Sequence, residues 1–274
     1  SNDSGIFDDP VNENLIYIKN EGNRRYYRIR HPRFADEILL LALGEPKGIQ
    51  YAEKLSTCLC DLIDYSRVNS IYVRYDSTIE MLTNLLILRD IGNVGIEEKF
   101  SDVIIEIKNS LEKNENYSLY VGRVFKKLVE QYPDEPHFMG HLSRFYTNIE
   151  HDYERGVATA TEALKISEKQ NKKDPILYHI CGISIKNKLK YGDYPKLERY
   201  DGTKKEEYIE NIKENMMIAG DYFQEVRNSP SKKLAGYISH IEMCIDFLDA
   251  MKRIHGMNST YEFIEKHKNS WMMN

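Results

Sequence analysis

Apolar residues recur every three or four positions from Arg33 to the end of the chain, which is the spacing of one helix face. The predicted helices span residues 33–43, 47–66, 76–90, 97–112, 117–132, 136–149, 153–170, 175–189, 204–227, 231–254 and 259–269. Glycine and proline separate them, for example at Gly92, Pro133 and Gly256. Because no strands alternate with these helices, the pattern predicts an all-α array.

The segment from Leu15 to Pro32 carries a different pattern, that of a short β-hairpin. Apolar residues flank Asn20-Glu21-Gly22-Asn23, and Gly and Asn tolerate the positive φ of a tight turn. A two-stranded hairpin is at best marginally stable alone. We therefore expect this segment to pack on another domain of a larger parent protein.

The helices after Tyr117 show a repeating arrangement of large and small residues. The first helix of each predicted pair has apolar or small residues at offsets of zero, three, four and seven: Phe138, His141, Leu142 and Phe145; Tyr178, Cys181, Gly182 and Ile185; Leu234, Tyr237, Ile238 and Ile241. The second helices have them at zero, four and seven: Val121, Phe125 and Leu128; Gly156, Ala160 and Ala163; Ala219, Phe223 and Val226. Over residues 117–256 the chain resembles the tetratricopeptide repeat family, whose units are paired helices of about 34 residues.

This resemblance implies a tetratricopeptide-like helical array in which small residues let paired helices approach closely. Gly156 and Gly182 are the predicted points of closest approach. Residues 186–218 are predicted to be an insertion. Any amphipathic helix gives the same apolar spacing, so both a right-handed α-solenoid and an irregular helical bundle fit the pattern.

The segment from Arg25 to Leu41 resembles the end of the winged-helix domain in STAND-type signalling NTPases, which place a repeat array after that domain. In that family a His after the strand contacts bound ADP, and His31 stands at the matching position. Pro32 stands where the family has Asp. The resemblance implies a winged-helix remnant (hairpin plus helix) at residues 1–43, a repeat domain at 44–274, and His31 as a nucleotide sensor in the parent protein.

Composition excludes several classes of protein. The chain has 274 residues, a formal net charge of −5 and 41% hydrophobic residues, so nothing drives it towards nucleic acid or an acidic membrane. No apolar run approaches the length of a membrane span, and the N-terminus does not resemble a signal peptide. Four scattered cysteines, Cys58, Cys60, Cys181 and Cys244, indicate reduced thiols in a cytoplasmic protein, with Cys58 and Cys60 on different helix faces.

Few residue groups suggest chemistry. His137 and His141 are four apart on a predicted helix but lack the Glu of an H-E-x-x-H site, and His141 occupies a repeat core position. Glu150-His151-Asp152 is predicted to be a helix–helix loop in which Asp152 caps the next helix. No phosphate loop or G-x-S-x-G motif occurs. We therefore predict a chain with no catalytic residue, metal or cofactor of its own.

Three functional hypotheses follow. The first is a sensor region of a STAND-like NTPase that binds a protein or peptide trigger and contacts the nucleotide-binding domain of the same parent chain. The second is a free-standing repeat adaptor that binds a peptide or protein. The third is a DNA-binding winged-helix regulator, suggested by Arg24, Arg25, Arg28, Arg30 and Arg33. Most of the 20 tyrosines, such as Tyr120, Tyr146, Tyr178, Tyr222 and Tyr237, are predicted to be core residues.

Overall fold

The computed structural model describes residues 16–21, 24–29, 40–44, 48–69, 75–88, 99–100, 102–111, 117–197, 199–230 and 233–267. The helices are α1 Ile49–Asn69, α2 Tyr75–Leu86, α3 Asp102–Ser110, α4 Arg123–Gln131, α5 Pro136–Phe145, α6 Tyr153–Lys169, α7 Pro175–Asn187, α8 Tyr194–Leu197, α9 Gly202–Arg227, α10 Lys233–Ile254 and α11 Thr260–His267. Residues 40–43 are also helical and are the only described part of the predicted helix 33–43. The predominantly helical class is therefore confirmed.

Two short antiparallel strand pairs accompany the helices. Strand β1 (Ile16–Glu21) pairs with β2 (Arg24–Ile29), and Glu21 lies opposite Arg24. Strand β3 (Ile87–Leu88) pairs with β4 (Lys99–Phe100). The predicted helix 76–90 was therefore wrong at Ile87 and Leu88, because a short apolar run fits a strand as well as a helix. None of these contacts assigns residues 1–43 to a winged-helix domain.

Three helices are extended by π-helical turns, which the sequence pattern did not predict. These turns are Ser118–Gly122, Tyr146–Glu150 and Lys188–Asp193. The Tyr194 N–H donates to the carbonyl of Leu189, and the His151 N–H donates to that of Tyr146, each five residues earlier. A π turn adds one residue to the helical turn and rotates the side chains that follow it, and such turns are frequent at functional sites.

Successive helices from α4 onward pack against one another in chain order. Helix α5 contacts α6, α6 contacts α7, α7 contacts α9, and α9 contacts α10. Helix α7 also contacts α5 and α10. One apolar cluster fills the space among α1 to α5, and two more lie among α6 to α11. The core thus extends along the order of the helices.

The two glycines singled out in the sequence do lie at close helix contacts. A Cβ atom on Gly156 would be 2.3 Å from Thr147 Oγ1, and the Ser143 hydroxyl donates to the Gly156 carbonyl at 2.7 Å. A Cβ atom on Gly182 would be 2.5 Å from Phe223 Cε1. Both distances are shorter than side chains tolerate. Glycine therefore sets the spacing of α5 with α6 and of α7 with α9.

The first two predicted sets of first-helix core residues are buried, but the third is wrong. Phe138, His141 and Phe145 in α5 are each at most 1% exposed. In α10, however, Leu234, Tyr237, Ile238 and Ile241 are 43–57% exposed. The buried residues there are instead Ala235, Ser239, Met243, Phe247 and Ala250. Helix α10 is apolar on two sides, so its periodicity alone fits either face.

Residues 186–218 are not a separate insertion. They complete α7 through the 188–193 turn and α8, and then form the first two-thirds of α9. Leu189, Tyr194, Leu197 and Ile212 are at most 3% exposed and join one apolar cluster with α10 and α11. The segment therefore lengthens one helix pair and buries the added length in the same core.

Candidate functional site

The histidines that the sequence suggested do not form a common site. His31 lies outside the described residues. In α5, Nε2 of His137 is 2.8 Å from a carboxylate oxygen of Asp174, whereas His141 is 1% exposed and lies in the core. The two imidazoles therefore face different surroundings. Among the described residues, no group of three or more His, Cys, Asp or Glu side chains is arranged to hold a metal ion.

Asp174 links two helix pairs instead. Its carboxylate caps α7 by accepting from the Ile176 N–H at 2.8 Å while it contacts His137 of α5. Burial acts to raise the pKa of this carboxyl, but the hydrogen bond and charge of His137 together with the backbone N–H groups outweigh it. The pKa of Asp174 therefore lies below its ordinary value of 3.8.

Replacing Asp174 tests this link. We expect Asp174→Ala to lower the free energy of unfolding at neutral pH by about 2–3 kcal/mol, because it removes a cap and a charge-assisted hydrogen bond. Asp174→Asn should lose roughly half of that, since Asn also caps helices. A carboxyl with a lowered folded-state pKa stabilises the fold above pH 3.8 and loses that contribution as pH falls through the folded-state pKa. Urea titrations at several pH values measure this.

The matched control is Asp201→Asn. Asp201 occupies the same cap position before α9, but its side chain makes no capping hydrogen bond there. We expect a change within about 0.5 kcal/mol for this variant. A wild-type advantage over Asp174→Asn that stayed constant down to pH 2 would contradict the proposed role of the carboxylate charge.

The turn between α5 and α6 was predicted correctly. His151 adopts φ 56°, in the left-handed region, and reverses the chain after the 146–150 turn. Asp152 then accepts from the Arg155 N–H at 3.1 Å, which confirms its capping role. Arg155 lies over the ring of Tyr146 with its Cζ 4.6 Å from the centroid. This turn forms one wall of a cleft.

The first cleft, of about 350 Å³, lies between that turn and the 188–193 turn. Residues 150–154 line one side, and Lys188, Gly192, Asp193 and Lys196 line the other. Lys188 pairs with Glu154 at 3.0 Å, and Arg155 pairs with Glu150 at 3.7 Å. Four carboxylates and three basic side chains thus lie in or beside this cleft, mostly as ion pairs.

The second cleft, of about 400 Å³, lies on the other side of the 188–193 turn. Lys190 and Tyr194 line one wall, and Asp246, Asp249, Lys252 and Arg253 of α10 line the other. Lys190 donates to Asp246 at 2.9 Å, and this hydrogen bond raises the pKa of Lys190. The 188–193 turn therefore contributes side chains to both clefts.

Two tyrosines stack beside the clefts. The rings of Tyr153 and Tyr191 are 6.1 Å apart at an interplanar angle of 22°, and Tyr191 is 56% exposed. Lys190 Nζ lies 5.6 Å from the centroid of Tyr191. Exposed tyrosine with an adjacent cation is typical of protein-binding surfaces. We call this pair the tyrosine platform.

Buried polar atoms at the clefts have no hydrogen-bond partner in the described part of the protein. These are the Tyr194 hydroxyl and one carboxylate oxygen each of Asp193 and Asp246. The other oxygen of Asp193 accepts from Tyr208 at 2.7 Å. Burial, and then the nearby charge of Asp246, raise the pKa of Tyr194, so its hydroxyl stays protonated at neutral pH. A buried polar atom without a partner costs about 1–3 kcal/mol.

The sequence analysis did not single out Tyr153 or Tyr191. Tyr120, Tyr146 and Tyr178 are buried and Tyr222 is partly buried, as predicted, but Tyr237 is 47% exposed.

Cys58 and Cys60 do lie differently, one exposed and one buried, and all four cysteines are free. None of the described helices has both the length and the apolar character needed to cross a membrane.

The chain matches no protein-family model, no curated protein and no solved structure.

Proposed function

We propose that the region from α4 to α11 is a tetratricopeptide-like array that binds a segment of another protein. The order of contacts supports the array, because α5 packs on α6, α6 on α7, α7 on α9 and α9 on α10, and α7 also contacts α5 and α10. The close glycine contacts at Gly156 and Gly182 support it further. In such an array the first helices of successive pairs lie side by side and present a continuous surface.

Polar contacts across the first helices agree with this arrangement. His179 lies 3.1 Å from Ser239, Lys186 donates to Glu242 at 2.5 Å, and Lys190 pairs with Asp246. These contacts join α7 and the 188–193 turn to α10 at three points along their lengths. The surface that results is fixed before any partner binds, which reduces the entropy lost on binding.

The tyrosine platform between the two clefts is the observation that carries the proposal. An extended segment can place an apolar side chain on Tyr191 while its charged groups pair with the exposed side chains of Lys190 and Lys196. The ion pairs that line the clefts offer both signs of charge for exchange with the partner. The site is therefore suited to recognition, and we assign no catalytic step to it.

The assignment to a STAND-like NTPase rests on the resemblance of residues 25–41. His31 and most of that segment lie outside the described residues, so this part of the hypothesis stays a prediction. A free-standing adaptor would use the same clefts. Both hypotheses require a bound protein segment, and one experiment tests that shared requirement.

A random peptide library displayed on phage is the probe for this test. We expect selection on the 274-residue chain to enrich a shared peptide sequence, whose affinity is then measured by fluorescence anisotropy. Tyr191→Ala and Lys190→Glu should each weaken binding by about tenfold or more. Lys196→Glu should also weaken it, because it reverses the charge of an exposed side chain that lines the first cleft.

The matched control is Tyr261→Ala, which truncates a tyrosine that is 74% exposed on α11. Its peptide affinity should equal that of the wild type. Enriched peptides that bound all four variants as tightly as the wild type would exclude the clefts as the binding site. A selection that enriched no peptide would argue against a linear protein segment as the ligand.

A further inference from the structure

Helix α10 carries an apolar stripe on the face opposite its buried side. Leu234, Tyr237, Ile238, Ile241 and Ile245 are between 43% and 57% exposed. Cys244 is also exposed, and Leu248 is partly buried. We call these seven positions the α10 seam. Contiguous apolar surface of this kind on a folded chain marks an interaction site.

The seam has the same spacing in both directions along the helix. Ile241 is its centre, and the other six residues follow at three, four and seven positions on either side. None of the seven positions carries a charge. This is the a, d and e spacing of helices that pack side by side over a long contact.

We propose that the α10 seam pairs with the same seam of a second copy of this chain, in antiparallel orientation about a two-fold axis. In a two-fold contact the same patch serves both subunits, so the patch must complement itself. The spacing of the seam meets this requirement. Ile241 then meets the partner's Ile241, Tyr237 meets the partner's Ile245, and Leu234 meets the partner's Leu248.

The size of the seam and the charges beside it agree with such a dimer. Five large side chains of about 200 Å² each, close to half exposed, present roughly 500 Å² per chain and roughly 1,000 Å² in the pair, the lower limit for a specific interface. The charged residues beside the seam are already paired within the chain, Glu242 with Lys186 and Asp249 with Lys252. They therefore do not oppose the approach of a second copy.

Light scattering coupled to size-exclusion chromatography tests the proposal across a wide range of protein concentration. We expect a mass of twice 32.2 kDa at high concentration and dissociation on dilution. Ile241→Glu should raise the dimer dissociation constant by about 100-fold or more, because two carboxylates meet at the apolar centre. The matched control Met217→Glu changes an apolar residue on α9 that is 69% exposed and should leave the constant unchanged.

Cysteine cross-linking gives a second readout that does not depend on a disruptive change. In a chain carrying Cys58→Ser and Cys244→Ser, Ile241→Cys should form a disulfide between two chains under mild oxidation, whereas Met217→Cys should not. A mass of 32.2 kDa at every concentration would overturn the proposal, since the seam would then be covered within one chain or left free. A dimer that persisted with Ile241→Glu and gave no cross-link at residue 241 would also overturn it.

Discussion

Replacing Phe223 by alanine is expected to lower the free energy of unfolding by about 3–5 kcal/mol. Phe223 in α9 is fully buried, and its ring lies directly against Gly182 of α7. The rings of His179 and His240 lie 6.3 and 6.0 Å from its centroid. Because Phe223 is enclosed between α7 and α10, its truncation leaves a cavity. Urea unfolding followed by circular dichroism measures the change.

The matched control for this variant is again Tyr261→Ala, which removes an aromatic ring of similar size from the surface. We expect a change within about 0.5 kcal/mol there. A domain of ordinary stability holds only about 5–15 kcal/mol in total, so Phe223→Ala should remove a large part of it. A loss below about 1 kcal/mol would mean that Phe223 is not enclosed between α7 and α10.

Apolar periodicity predicted the helices well because most of them have a single apolar face. The sets around Tyr178 and Phe223 combine large residues with glycine or alanine, and the structure buries both sets. The face that the sequence predicted to be buried was therefore the correct one in those helices. The predicted helix ends differ from the observed ones at the π turns and at strands β3 and β4.

Helix α10 shows why the same reasoning failed at the third set of predicted core residues, which begins at Leu234. Both of its faces are apolar, so the three- and four-residue spacing fits either one equally well. The informative signal was residue size. Ala235, Gly236 and Ser239 are small where α9 and α7 approach, whereas Leu234, Tyr237 and Ile241 are large and about half exposed. Small residues mark a helix contact better than hydrophobicity does in such a helix.

The clefts could not be predicted from the sequence because their walls are distant along the chain. Residues near Asp152, Tyr191 and Asp246 come together only when three helix pairs stack. The 188–193 turn directs Lys188 to one cleft and Lys190 to the other. The excess of tyrosine did not distinguish Tyr191 from the tyrosines of the core.

Gly236→Ala should destabilise the protein by about 2 kcal/mol, although alanine is the better helix former. A Cβ atom there would lie 2.7 Å from the carbonyl oxygen of Phe223 and 3.0 Å from the backbone nitrogen of Arg227. These are backbone atoms of α9, so the clash can be relieved only by separating two helices. Separation would also lengthen the bonds from Arg227 to the Gly236 carbonyl, at 3.3 Å, and to His240, at 2.9 Å.

Gly220→Ala is the matched control, and its expected effect has the opposite sign. Gly220 lies in α9 at the same α9–α10 contact, but a Cβ atom there would be 3.5 Å from the His240 ring, an ordinary contact distance. The gain in helix propensity is then unopposed, so we expect the free energy of unfolding to rise by about 0.5–1 kcal/mol. Thermal and urea unfolding of the two variants, measured side by side, test whether the two changes in the free energy of unfolding have opposite signs. If both variants were stabilised, α9 and α10 would have to pack farther apart than the Gly236 contact requires.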